Sequence, residues 1–180
     1  MRFRLLVVIL SVAACIAPAM RAAADTQNAV AVKVGGYFLG DDTAGGYYGG
    51  SPSVSAGAEY RLAGSGFDAP FRTSVYVDYS HGRGQAGALS LYSTGVAERV
   101  RIGRPSRGGA FPYLGVGFGT NVNVFSLPGG QGVSQTAFAQ KAILGLQRGD
   151  GIFYEAYFRA APQNAGVITS GLGVSVGYHL

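Results

Sequence analysis

Acid–base, nucleophilic and metal chemistry all start from a short set of side chains, and this chain is poor in them. Its 180 residues hold two histidines, His81 and His179, and one cysteine, Cys15. His81 follows Asp78 by three residues, close enough for a carboxylate to orient an imidazole. It lies in a glycine-rich stretch, however, where a surface His near an Asp is ordinary. His179 is one residue from the end of the sequence. Asp41-Asp42 is a lone acidic pair, short of the donor set that a calcium or zinc site requires. No glycine run ends in the Lys-Ser/Thr of a phosphate loop. No catalytic, metal or cofactor residue is therefore assigned, and the chain reads as non-enzymatic.

The remaining chemistry is charge, and its placement depends on the elements that carry it. Eight stretches of about ten residues alternate apolar and polar side chains, separated by Gly-, Pro- and Asp-rich breaks. The first, 29–39, sets Val30, Val32, Val34 and Phe38 against Lys33. The second, 53–62, sets Val54, Ala56, Ala58, Tyr60 and Leu62 against Glu59 and Arg61. In 71–80, Phe71, Val75, Val77 and Tyr79 oppose Arg72, Ser74, Tyr76 and Asp78. Stretch 88–102 is the least regular: Tyr92, Val96, Val100 and Ile102 share a face with Glu98, which a bulge or a different register would explain.

The later stretches are cleaner. In 112–125, Leu114, Val116, Phe118, Val122 and Val124 oppose Tyr113, Asn121, Asn123 and a row of glycines. In 136–147, Phe138, Ala142, Leu144 and Leu146 oppose Lys141 and Gln147. In 152–160, Tyr154, Ala156 and Phe158 oppose Glu155, Tyr157 and Arg159. The last, 168–180, alternates Leu172, Val174, Val176, Tyr178 and Leu180 with glycines, Ser175 and His179.

Alternation repeated at this spacing is the signature of a transmembrane β-barrel. Two features favour it over a soluble sandwich. Charges of both signs occupy the face that a membrane barrel turns to its lumen. Aromatics also gather near segment ends on the apolar face, as at Phe38, Tyr60, Phe71, Tyr79, Phe118, Phe138, Phe158 and Tyr178, where they suit the lipid–water interfaces. The expected fold is all-β: an eight-stranded antiparallel up-and-down transmembrane barrel over 25–180, preceded by a signal peptide at 1–24. Arg2 and Arg4, the apolar run Leu5–Val12 and the small residues Ala22 and Ala24 form that leader and its cleavage site. Val12-Ala13-Ala14-Cys15 also resembles a lipobox, which leaves lipidation of Cys15 open. Removing Arg2, Arg4 and Arg21 leaves 11 basic against 9 acidic residues, too even a balance for a nucleic-acid partner.

The alternation that runs through Leu172, Val174, Val176, Tyr178 and Leu180 resembles the C-terminal signal by which outer-membrane barrels are recognised by their assembly machinery, although Leu180 stands where an aromatic is usual. Pro112-Tyr113-Leu114-Gly115-Val116-Gly117-Phe118-Gly119 resembles a strand of the small OmpA, OmpX and OmpW barrels, and Phe153–Arg159 resembles their penultimate strand. The resemblance implies an outer-membrane location, contact with outer-membrane lipid, and both termini in the periplasm. Outer loops would lie near 40–52, 81–87, 126–135 and 161–167, and periplasmic turns near 63–70, 103–110 and 148–151. Arg148-Gly149-Asp150 then sits in a periplasmic turn rather than an adhesive loop. Some barrels of this size deacylate lipid A with a Ser–His pair, but no His-x-Ser pattern occurs here.

A narrow barrel cannot leave buried charges unpaired. Lys33, Glu59, Arg61, Arg72, Asp78, Lys141, Glu155 and Arg159 are therefore expected to form one lumenal network that fixes register and fills the bore. The expected role is structural. A narrow pore or a carrier for a small solute, apolar solutes included, is the alternative, kept open by the lumenal glycines. Adhesion through Gly40–Ser51, with Tyr47-Tyr48 as its contact patch, is the second alternative.

Overall fold

Eight strands form in order and close on themselves in the computed structural model, which describes residues 29–48, 52–63, 70–104, 109–127, 129, 132–163 and 167–180. The strands are β1 (Val30–Leu39), β2 (Ser53–Ala63), β3 (Phe71–Gly84), β4 (Gly87–Arg101), β5 (Phe111–Ser126), β6 (Gly132–Gln147), β7 (Ile152–Ala160) and β8 (Gly171–His179). Each pairs antiparallel with its neighbour in sequence, and β1 pairs with β8 to close the barrel. Closure leaves no unpaired strand edge, which any sheet in lipid requires. The expected leader, Cys15, Ala22 and Ala24 lie outside the described residues.

Side-chain direction follows the period-2 pattern. Val34, Leu144, Phe118 and Phe158 stand more than half exposed on the outer wall, while Lys33, Asp78, Glu155 and Arg159 are buried inside. The barrel is thus inverted relative to a soluble one, with apolar groups outward and polar groups inward. Leu172, Val174, Val176, Tyr178 and Leu180 form one outward row, and the Leu180 amide donates to the Val30 carbonyl at 2.8 Å.

Three sequence expectations change. The 88–102 stretch contains neither a bulge nor a slipped register: β4 pairs residue for residue with both β3 and β5. Glu98 faces outward and accepts a hydrogen bond from its cross-strand partner Thr73. It lies three residues from the end of β4, where a carboxylate at the rim of the apolar band costs little. Second, the connections expected at 81–87 and 126–135 are shorter, because the ladders continue to Gly84–Gly87 and Ser126–Gly132. Backbone pairing needs no apolar side chains, so a hairpin can extend past the point where hydrophobic alternation stops. Third, the 40–52 segment is not an open loop. Residues Asp42–Tyr48 form a short helix, α1, which buries Ala44 and Tyr48.

Candidate functional site: the lumen

The lumen has a loop end, at the β1–β2, β3–β4, β5–β6 and β7–β8 connections, and a terminal end, where β1 starts and β8 finishes. Its middle holds an ionic layer. Lys33 on β1 lies 2.7 Å from Glu59 on β2, 3.2 Å from Glu155 on β7 and 3.3 Å from Asp78 on β3. Arg99 on β4 reaches the same carboxylates, with Nη2 at 2.7 Å from Glu59 and 2.8 Å from Glu155. Its Nη1 donates to the Ser74 hydroxyl at 2.9 Å. Lys141 on β6 pairs with Asp78 and stands 4.1 Å from the Tyr76 ring centroid. Tyr113 on β5 donates to Glu155 at 3.1 Å. Three cations and three carboxylates balance, and with Tyr113 they join seven of the eight strands.

Stripping six charges of water costs several kcal/mol for each, so such a layer adds little net stability over a well-packed apolar core. Its effect is on register. A one-residue slip of any of the six charged strands would turn its charge onto the apolar outer wall and leave the partners bare.

The expected single network thus separates into three parts. Lys33, Glu59, Asp78, Lys141 and Glu155 share the central layer. Arg159 lies toward the loop end, 4.2 Å from the Tyr37 ring centroid, with Nε donating to the Tyr37 hydroxyl at 3.2 Å and Nη1 to Asn121 at 3.4 Å. Arg72 lies toward the terminal end, where Nη2 donates to Gln147 at 2.6 Å and Nη1 is 3.2 Å from His179 Nε2. Arg61 is buried at the same end, and none of its guanidinium nitrogens has a hydrogen-bond partner among the described residues.

Arg99 is the residue that sequence reasoning missed. The signal was there: Val96, Val100 and Ile102 are even-numbered wall residues, so Arg99 has lumenal parity. Taking Glu98 as a sign of a bulge or a different register, instead of an outward exception, hid it.

The loop end is filled differently. Tyr48 enters beside Gly82 so closely that a Cβ there would collide with its ring. Tyr48, Ala44, Tyr37, Leu89, Leu91, Phe125 and Val167 form an apolar cluster, and Tyr47 packs edge-on to Phe125 at 5.3 Å. Two bonds tie this cover down: the Ala86 amide donates to the Gly46 carbonyl at 3.2 Å, and the Ile168 amide to Asp41 Oδ2 at 2.9 Å. Asp41 also accepts from the Thr43 amide. These backbone donors, Ile168 first, hold the Asp41 carboxyl below its usual range. Of the expected contact patch, Tyr48 is buried in the barrel and Tyr47 is half-buried against Phe125.

The lumenal glycines are occupied space. Gly145, Gly173 and Gly177 lie opposite Tyr113, Tyr157 and Phe153 in the ladders, and each partner ring occupies the place where a Cβ would sit. They admit neighbouring rings and leave no room of their own for a path.

The remaining candidates do not assemble a reactive site. Asp78 points inward while His81 is exposed on the wall, 2.9 Å from the Ser90 hydroxyl and stacked with Tyr79. No carboxylate bonds the His81 ring among the described residues. Arg148 and Asp150 pair with each other at 3.0 Å in an exposed turn.

No protein-family model matches the chain, and no curated protein matches it. Solved structures do. Neisserial surface protein A aligns with a TM-score of 0.63 at 14% identity, covering 84% of this chain and 96% of that one. The N-terminal β-barrel domain of Pseudomonas aeruginosa OprF gives 0.54 at 15% identity, over 86% and 98%. Ail, the attachment invasion locus protein of Yersinia pestis, gives 0.53 at 16% identity, over 84% and 96%. At these identities the likeness establishes the fold.

Proposed function

We propose that this chain, which has the fold of the small eight-stranded outer-membrane barrels, is a sealed structural element of the bacterial outer membrane with no catalytic step of its own. One observation supports this reading: two separate sets of side chains pack across the lumen. The ionic layer crosses its middle, and the α1 cover closes its loop end. Eight strands leave an interior that side chains just fill, and the ionic layer and the α1 cover supply them at its middle and loop end. On this topology the loop end is extracellular and the terminal end periplasmic. The apolar wall contacts lipid, and the outward row from Leu172 to Leu180 is the surface offered to the assembly machinery.

Refolding in detergent tests the barrel, and a planar bilayer tests the seal. The unboiled protein should migrate differently from the boiled one on a denaturing gel, and the reconstituted protein should pass no steady current. Stepwise ohmic conductance from the unaltered chain would overturn the sealed reading in favour of a narrow pore. Attachment through the candidate patch has its support in the likeness to Ail, the attachment invasion locus protein, against which stands Tyr48, buried in the lumen.

A further inference from the structure

At the periplasmic end of the lumen, positive charge is left over. The carboxylates Glu59, Asp78 and Glu155 are engaged by Lys33, Arg99 and Lys141. Arg61 and Arg72 lie below them, and among the described residues neither forms an ion pair. Arg72 donates to Gln147 and lies 3.2 Å from His179 Nε2.

Arg61 is only 6% exposed, and among the described residues its Nε, Nη1 and Nη2 all lack an acceptor. Gln147 Nε2 is also buried without one. These are four nitrogens that can only donate. Arg61 stands at the one interruption of the β2–β3 ladder, where pairing jumps from Arg61–Ser74 to Ala63–Thr73. Arg61 faces inward by the same alternation as Ser55 and Glu59, diagonal to Arg72 and within electrostatic reach of both Arg72 and His179.

A buried guanidinium with no acceptor is costly. Glu59 is the nearest carboxylate acting on this end, and it is already bonded by Lys33 and Arg99, so among the described residues the donors of Arg61 are left complementary to an added oxyanion. We infer that the periplasmic mouth of the lumen, built by Arg61, Arg72 and Gln147, binds a small soluble oxyanion, a phosphate or a carboxylate. The occupant is soluble rather than a lipid headgroup because these side chains face the lumen, and headgroups ring the wall. The site goes beyond the sealed-barrel reading: the seal above it can fail or hold without affecting an anion bound below.

The test is calorimetric titration of the full chain, refolded in a neutral detergent, with inorganic phosphate and separately with acetate against chloride at matched ionic strength. Saturable binding is expected for at least one of the two, together with a raised unfolding midpoint. Arg61→Met should weaken binding by at least about tenfold, the equivalent of one charge-assisted hydrogen bond, and Arg72→Gln should weaken it less. In anion-free buffer Arg61→Met should be at least as stable as the unaltered chain, because it removes an unpaired buried charge. Arg61→Gln serves the same comparison where the methionine variant does not refold. The proposal is overturned if neither anion acts beyond chloride, or if the Arg61 variants bind as the unaltered chain does. A strong loss of stability in anion-free buffer on losing the charge would also overturn it, since Arg61 would then have a partner within the chain.

Discussion

Near the loop end of the lumen, Tyr37, Tyr48, Leu89, Leu91 and Phe125 pack together as an ordinary apolar core; in the middle, Lys33, Arg99 and Lys141 interlock with Glu59, Asp78 and Glu155. Both arrangements fill the same cylinder, but they fail differently. Apolar packing is non-directional and loses stability in proportion to the volume removed. An ionic layer gains little by existing and loses much when one member goes, because the partners stay behind, buried and unpaired. The plug is also held by a seven-residue helix and a few loop hydrogen bonds, whereas the ionic layer is built into the strands themselves. The first is a cover that can open locally; the second cannot open without the barrel.

The widest separation between the two comes from Arg99→Met. It strips Glu59 and Glu155 of their shared guanidinium, and the barrel should lose about 3–5 kcal/mol, read as a lower urea midpoint in detergent. A loss below about 1 kcal/mol would mean that water enters the layer and screens it.

Gly173→Val comes next. A Cβ at that position meets the Tyr157 ring, and overpacking of this kind costs about 1–3 kcal/mol. Tyr157→Ala in the same background should recover part of the loss, and a double-mutant cycle on unfolding midpoints would measure how much.

Tyr48→Ala should act almost wholly on the cover. Amide exchange in 42–48 should become fast while the global midpoint moves little, because α1 opens below the energy of global unfolding. The bilayer should still carry no current, since the ionic layer lies beneath. Current from this single variant would show that the plug alone seals the lumen.

The smallest effect belongs to Asp41. Its carboxyl titrates below the ordinary aspartate value of about 3.9 because the Ile168 and Thr43 amides bond its charged form. A depressed folded value stabilises the docked loop above the unfolded pKa, and that contribution disappears as pH falls through the folded one. The Ile168 amide shift should therefore report an inflection below the usual range, absent in Asp41→Asn.

Much of this molecule could be read from spacing alone. Parity in each segment assigned Val34, Phe118, Leu144 and Phe158 to the wall and Lys33, Asp78, Lys141 and Glu155 to the lumen, because a strand turns alternate side chains to opposite faces wherever it goes. Eight repeats at barrel spacing gave the strand number for the same reason. Which lumenal charges meet could not be read, since that depends on the stagger between strands: Lys33 and Glu155 are 122 residues apart and touch only because the barrel closes. Closure likewise separated Arg159 and Arg61 from the carboxylates they were expected to join. The inward turn of Tyr48 depends on a gap at Gly82 that exists only once β3 is in place. Period and composition are local properties and specify the wall. Partner choice inside the lumen is set by the shear of the closed sheet, and only the tertiary structure contains it.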